Sequence, residues 1–234
     1  MESSHKKTIS LSSNSIILGV LLAIVGGFLD AYTFISRDGV FANAQTGNMV
    51  LFAVKIANKE WEASFLHIPP ILAFIAGEIV SEIVKIERVR EVVYSYRRSI
   101  LILECMILMI VGMLPPAVPN IVVTVCIAFV SSLQISTFNK IEKWAYNSTM
   151  TTGNLRTATQ AAYSAFIEKS REAKQQFKDF ATIILSFLFG ALAGTFSTTY
   201  IGNTSIWIAG GLLVIATILY HRDKGYFRKS VASK

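Results

Sequence analysis

Charged residues are scarce in this chain: Asp, Glu, Lys and Arg make up 16% of its 234 residues, whereas soluble domains average about 25%. Hydrophobic residues make up 53%, and the mean hydropathy is +0.51. A soluble globular core would place its apolar residues in short amphipathic stripes, but here they form uninterrupted runs of about 20 residues. The composition therefore argues against a soluble enzyme and predicts an integral membrane protein.

Cysteine is also scarce. Cys105 and Cys126 both lie inside apolar stretches, where a thiol packs as a small hydrophobe and frames no disulfide scaffold. The sequence has no HExxH, GxSxG or CxxC motif and no glycine-rich phosphate loop. Its three histidines lie far apart, without metal-ligand spacing. We therefore expect no enzymatic activity, no bound metal and no cofactor.

The net charge of +7 does not indicate a nucleic-acid partner. The basic residues lie between apolar blocks and form no stripe with interleaved aromatic side chains. The partners that we expect are the lipid bilayer and a small solute of unknown identity.

Six apolar stretches are long enough to cross a hydrocarbon core about 30 Å thick. They are roughly 15–36, 67–86, 99–114, 120–138, 178–199 and 204–221. Two further regions, 40–58 and 146–167, are apolar mainly in their second halves. If neither spans and the N-terminus is cytoplasmic, every Lys and Arg except Arg37, Lys55 and Lys59 faces the cytoplasm. We therefore predict about six spans, both termini cytoplasmic, in one transmembrane domain covering residues 1–234.

An internal repeat divides the chain. LDAYTF at 29–34 is matched by LQISTF at 133–138, an offset of 104 residues. The tripeptide TGN recurs at 46–48 and 152–154, and FIAG at 74–77 is followed in the second half by FLFG. Each half reads span, TGN segment, span, span. Because three is odd, the second half (about 120–221) enters the membrane from the opposite side to the first (about 15–114), as in many transporters.

The TGN segments are expected to be re-entrant or interfacial half-helices. If each dips into the bilayer, Gly47 and Gly153 lie at the tips, where glycine permits a left-handed or tight turn. The first returning helix, from Met49 to Asn58, would be about 15 Å long. Two helix N-termini would then point at the membrane midplane. The alternative is that both segments lie flat on the interface.

Three segments carry a resemblance to a known family: GGFLDAYT at 26–33, FANAQTGN at 41–48 and MTTGNL at 150–155. They resemble the DUF1275, or YoaK-like, family of small bacterial integral membrane proteins, and the resemblance covers nearly the whole chain. It implies a multi-pass protein of the bacterial inner membrane with about six spans. It implies no established substrate.

Two acids stand out within the predicted spans. Asp30 lies about six residues inside the outer end of the first span, where an ionised group costs up to about 2.5–3.5 kcal/mol. It would line a solute path or carry a proton; alternatively, it pairs with a basic residue or caps a neighbouring helix. Glu78 is near mid-span and shares a helix face with Glu82, which we expect to reach towards Lys85 instead.

Arg156 follows the second TGN and lies deep only if that segment is re-entrant. There it would pair with Asp30 or Glu78, or attract an anion; otherwise it is an ordinary surface cation. Small-residue stripes containing Gly27 and Gly190 predict close helix packing within the chain, with a homo-oligomer contact as the alternative.

Our leading hypothesis is a small-solute transporter or channel with a central site between the repeats, its transport depending on pH through Asp30 or Glu78. The alternative is a membrane scaffold or regulatory subunit that transports nothing. The residues expected to line the solute or ion pathway are Asp30, Asn43, Gln45, Thr46, Gly47, Asn48, Glu78, Gln134, Thr152, Gly153, Asn154 and Arg156.

Overall fold

A computed structural model describes residues 14–86, 96–115 and 117–232, with side chains to residue 220 at the C-terminal end. These residues are almost entirely helical, which confirms the predicted all-α class. The helices are α1 (Ile16–Ser36), α2 (Gln45–Ala57), α3 (Trp61–Phe65), α4 (Ile68–Lys85), α5 (Tyr96–Met113), α6 (Asn120–Thr137), α7 (Thr151–Phe166), α8 (Arg171–Ile201) and α9 (Ile206–Ala232). An antiparallel hairpin of β1 (Lys140–Ile141) and β2 (Trp144–Ala145) follows α6.

Some residues used in the topology argument lie outside the described residues. They are Lys6 and Lys7 near the N-terminus, and Arg88 and Arg90 between α4 and α5.

Four helical stretches in the described part are long and apolar enough to cross a membrane: Ile16–Ser36, Trp61–Lys85, Asn120–Thr137 and Arg171–Tyr220. The chain therefore has the helices of a membrane protein. The last stretch has 50 residues and contains both α8 and the start of α9.

The chain reverses between α8 and α9. Gly202 has φ +74°, in the left-handed region that glycine adopts without steric cost. The hydroxyl oxygens of Thr198 and Ser205 are 3.1 Å apart. In one straight helix, seven residues advance the backbone by about 10 Å, so this hydrogen bond requires a turn.

Local sequence explains where several helices begin. Ser15 caps α1 by accepting a hydrogen bond from the Leu18 N–H, and Ser170 caps α8 in the same way. Proline occupies the first turn of α4, where a missing N–H is harmless.

Two helix pairs form the most extensive contacts in the bundle: α1 packs along α8, and α4 packs along α6. A Cβ on Gly190 would overlap the carbonyl of Ile24 in α1. A Cβ on Gly77 would lie 2.6 Å from the carbonyl of Phe129 in α6. These glycines therefore let backbones approach within the chain, as predicted for the small-residue stripe that contains Gly190.

The core lies around α1, whose Leu22, Phe28 and Tyr32 are fully buried. Buried leucines of α5 and α9 pack in the same cluster. In contrast, α4 and α8 expose large apolar side chains on their outer faces, such as Ile79 and Phe196. An outward apolar surface of this kind is typical of helices that are surrounded by lipid.

Candidate functional site

The TGN tripeptides lie inside the first turns of α2 and α7. Because α2 begins at Gln45, the expectation of a helix starting at Met49 is wrong by four residues. With 13 residues, α2 is about 20 Å long rather than 15 Å. Gly47 and Gly153 each lie third in their helices, and neither has a positive φ. The predicted left-handed or tight turn at these glycines is therefore also wrong.

The asparagine of each TGN holds the backbone that leads into its helix. Asn48 Oδ1 accepts from the Phe41 N–H at 2.9 Å, and its Nδ2 donates to the Phe41 carbonyl at 2.8 Å. Asn154 makes the same pair of contacts with Asn147, at 3.2 and 2.6 Å. In both cases the partner lies seven residues earlier. These amides thus fix the approach to α2 and α7.

We expect Asn48→Ala and Asn154→Ala each to lower the free energy of unfolding by about 1–3 kcal/mol, because a buried backbone donor and acceptor lose their partners. The measurement is thermal unfolding in detergent. Asn58→Ala serves as the control because Asn58 is exposed and has only a 3.4 Å side-chain contact with Glu60. Equal losses in all three variants would contradict the structural role of the TGN asparagines.

A cavity of about 970 Å³ lies between the N-terminal ends of α2 and α7, bounded by α1 and α8. Its size is within the range of small-molecule sites. Apolar and polar side chains share the wall. The lining residues include Asp30, Phe34, Phe41, Asn43, Thr152, Gly153 and Phe187.

The cavity brings together half of the residues predicted for the pathway. Those that line it are Asp30, Asn43, Gln45, Thr46, Thr152 and Gly153. Those that do not are Gly47, Asn48, Glu78, Gln134, Asn154 and Arg156.

Asp30 anchors the start of α2 on α1. Its Oδ1 accepts from the Asn43 N–H at 2.8 Å, and the Ala44 N–H donates to the same carboxyl group. The residue is only 6% exposed, yet it also lines the cavity. The contacts therefore match the structural alternative considered for Asp30, in which it caps a neighbouring helix.

Asn43 lies beside Asp30 and is fully buried. Its Nδ2 donates to the Gly26 carbonyl at 3.2 Å. Its Oδ1 has no hydrogen-bond partner within the described part of the chain. Asn43 is therefore a cavity-lining residue whose buried amide oxygen lacks a donor in the described part of the chain.

The N-terminus of α7 is more open than that of α2. Neither Ala44 nor Met150, the residues that precede these helices, provides a side-chain cap. Asn147 Oδ1 accepts from the N–H groups of Thr149 and Met150, which precede α7. It therefore does not cap the N–H groups of the first turn of α7. A Cβ on Gly153 would meet no atom within 4 Å, whereas one on Gly47 would lie 2.9 Å from the Phe41 ring.

Sequence reasoning missed two buried acids, Asp179 in α8 and Glu104 in α5, of which Glu104 is the more deeply buried. It is 1% exposed, and the Gln134 amide nitrogen, in the orientation that satisfies its contacts, lies 2.9 and 2.7 Å from its two carboxyl oxygens. The other amide atom of Gln134 lies 3.4 Å from Ser148 Oγ. Glu104 is a single acid in the apolar run ILILECMILMI, a signal that was available in the sequence.

The remaining predicted charges lie apart from the cavity. Glu78 is half-buried on α4, and Glu82 pairs with Lys85 at 2.6 Å, as expected for it. Arg156 is exposed on α7, and no salt bridge joins it to Asp30 or Glu78 among the described residues. No group of three His, Cys, Asp or Glu side chains suited to a metal ion occurs in the part that the structure describes.

A protein-family model described as a protein of unknown function (DUF1275) matches residues 18–219. The chain belongs to the DUF1275 family. The match runs from α1 into α9 and so includes both TGN helices and the whole cavity. Comparison with curated proteins and with solved structures gives no match. The DUF1275 description assigns no activity, so a functional argument depends on the cavity itself.

Proposed function

We propose that this DUF1275 protein is a small-solute transporter or channel of the bacterial inner membrane. The observation that carries the proposal is the cavity between the N-termini of α2 and α7. Transporters built from inverted repeats commonly bind their solutes where interrupted helices meet near the membrane midplane. Irregular backbone at that depth is tolerated where protein or a water-filled cavity surrounds it.

Contacts between helices of the two halves support the inverted repeat. The pairs of corresponding helices are α1 with α6, α2 with α7, α4 with α8, and α5 with α9. The first helix of each repeat packs on the second span of the other: α1 on α8, and α6 on α4. Gly77 and Gly190, from FIAG and FLFG, lie in these two contacts. A pseudo-two-fold axis relating the halves accounts for this exchange.

The proposed six spans follow from the four apolar stretches in two steps: the last stretch counts as two spans, and α5 counts as a further one. The turn at Gly202 divides Arg171–Tyr220 into two spans, α8 and α9. The 18-residue α5 is about 27 Å long, but it carries Arg97, Arg98 and Glu104. Its two arginines lie at one end, where they can reach the interface.

Contacts between helix ends support the orientation. Arg37 donates to Asn120 Oδ1 at 2.9 Å, so the end of α1 and the start of α6 share one end of the bundle. At the opposite end, Lys85 Nζ lies 3.2 Å from Ser136 Oγ. Most described Lys and Arg residues gather at this second end, which the positive-inside rule assigns to the cytoplasm. The cavity extends along the outer half of α1 and therefore faces outwards.

The test is solute flux in liposomes that contain purified protein, screened over anions, cations, amino acids and nucleobases. The variant is Thr152→Cys in a Cys105→Ser, Cys126→Ser background, because Thr152 lines the cavity and is exposed. We expect an impermeant thiol reagent added outside to abolish most of the flux. Glu62→Cys, exposed on α3 outside the cavity, should be labelled without loss of flux.

The scaffold alternative predicts a different result. If every solute crosses at the rate of protein-free liposomes, the transport proposal is wrong and the scaffold reading stands. If flux occurs but labelling at Thr152 leaves it unchanged, the pathway does not pass through this cavity.

A further inference from the structure

The cavity wall offers both hydrogen-bond donors and hydrogen-bond acceptors. The donors include the first N–H groups of α7, and the acceptors include Asp30 and Asn43 on the side of α1 and α2. On this basis we propose that the cavity binds a zwitterionic solute of amino-acid size with an apolar side chain. The inference rests on the proposed function and names its substrate class.

The carboxylate of the solute is placed at the start of α7. The first N–H groups of a helix lack intrahelical partners and carry partial positive charge, so they favour anionic groups. The residue before α7 provides no side-chain cap, and Gly153 leaves open space in the first turn. A carboxylate can therefore approach the N–H groups without displacing a side chain.

The ammonium group of the solute is placed at Asp30 and Asn43. Asp30 is the sole charged residue among those described as lining the cavity. Asn43 Oδ1 is buried and has no donor among the described residues, and a hydrogen-bond donor on the solute relieves the resulting desolvation cost. Two independent observations therefore indicate a hydrogen-bond donor on the solute at this point.

Charge balance then favours a zwitterion over a simple ion. A monovalent anion bound at α7 would share the cavity with the Asp30 carboxyl group, and no Lys or Arg lines the described cavity to offset it. A simple cation at Asp30 would leave the first N–H groups of α7 without an anionic partner. A solute that carries both charges satisfies the two sides at once.

The apolar part of the solute has a matching surface. Phe34 and Phe41 line the cavity as a stacked pair, with ring centroids 4.7 Å apart. Phe187 of α8 lines it as well. Aliphatic or aromatic side chains bury apolar area against such rings.

The test measures binding by calorimetry on the full chain in nanodiscs. Four zwitterions (valine, leucine, methionine and phenylalanine) are each compared with the analogue that lacks the amino group and the analogue that lacks the carboxyl group. We expect at least one zwitterion to bind ten-fold or more tightly than both of its singly charged analogues. If none does, the inference is overturned.

Asp30→Asn provides the residue-level test because its amide oxygen can still accept the Asn43 N–H. We expect zwitterion affinity to fall ten-fold or more while affinity for the amine-free acid is unchanged or rises. Asp38→Asn is the control: Asp38 is exposed, lies outside the cavity, and has a positive φ that asparagine tolerates. Equal loss for zwitterion and acid would overturn the assignment of the ammonium group to Asp30.

Binding and flux separate this inference from the proposed function. Selective zwitterion binding without flux overturns transport and supports the substrate class. Flux of solutes with no preference for zwitterions supports transport and overturns the substrate class.

Discussion

Gly190→Ala is expected to destabilise the protein by about 3 kcal/mol, at the upper end of the usual cost of overpacking. The added methyl group would overlap the carbonyl of Ile24, a backbone atom that cannot rotate away. Gly77→Ala is expected to act in the same direction, because its methyl group would crowd Phe129 and Ser132 of α6. The measurement is the midpoint of thermal unfolding in detergent, together with the monodisperse fraction.

Gly211→Ala is the matched control for this pair. Gly211 is exposed in α9, and a Cβ there would meet no atom within 4 Å. The change from glycine to alanine should therefore leave stability unchanged or raise it by up to about 1 kcal/mol through helix propensity. If all three variants unfold at the wild-type temperature, the close packing of α1 on α8 and of α6 on α4 is wrong.

The positions of the long helices follow from hydropathy, which is a property of neighbouring residues. The predicted stretches 15–36 and 120–138 agree with α1 and α6 to within a residue or two. The charged residues 171–177, just before the predicted span 178–199, form the first two turns of α8. Hydropathy locates the apolar part of such a helix and carries no signal for its polar extension.

The details of the cavity depend on contacts between distant segments, which the sequence pattern does not encode. The sequence predicts Gly47 and Gly153 at the tips of the TGN segments because glycine permits a left-handed or tight turn. The structure instead uses Asn48 to bind the backbone of Phe41, seven residues earlier. That contact depends on how the chain folds back after α1. The same seven-residue spacing between Asn147 and Asn154 predicts a contact only after the contact between Phe41 and Asn48 is known.

Of the acids within the predicted spans, the sequence pattern draws attention to Asp30 and not to Glu104. Asp30 was singled out, and it lies at the cavity beside Asn43. Glu104 was overlooked because it has no counterpart in the repeat motifs, although it is among the most deeply buried polar residues described. Its partner, Gln134, occupies the repeat position of Asp30, so both halves use this position to bind a buried polar group.

Gly153→Leu is expected to reduce solute flux at least ten-fold while leaving the protein folded. The leucine side chain enters the cavity at the start of α7, where a Cβ meets no atom within 4 Å, so it fills solute space without displacing protein atoms. Flux is measured in liposomes at equal protein density, after thermal unfolding has shown that the variant is as stable as the wild type.

Gly211→Leu is the control for flux. It adds the same side chain to an equally open position in α9 that does not line the cavity, and it should retain wild-type flux. The loss of flux on labelling Thr152→Cys and the loss of flux in Gly153→Leu would then report on one solute pathway, because both residues lie in the first turn of α7. Wild-type flux in Gly153→Leu would place the route for the solute elsewhere in the bundle and leave the two half-helices with a packing role alone.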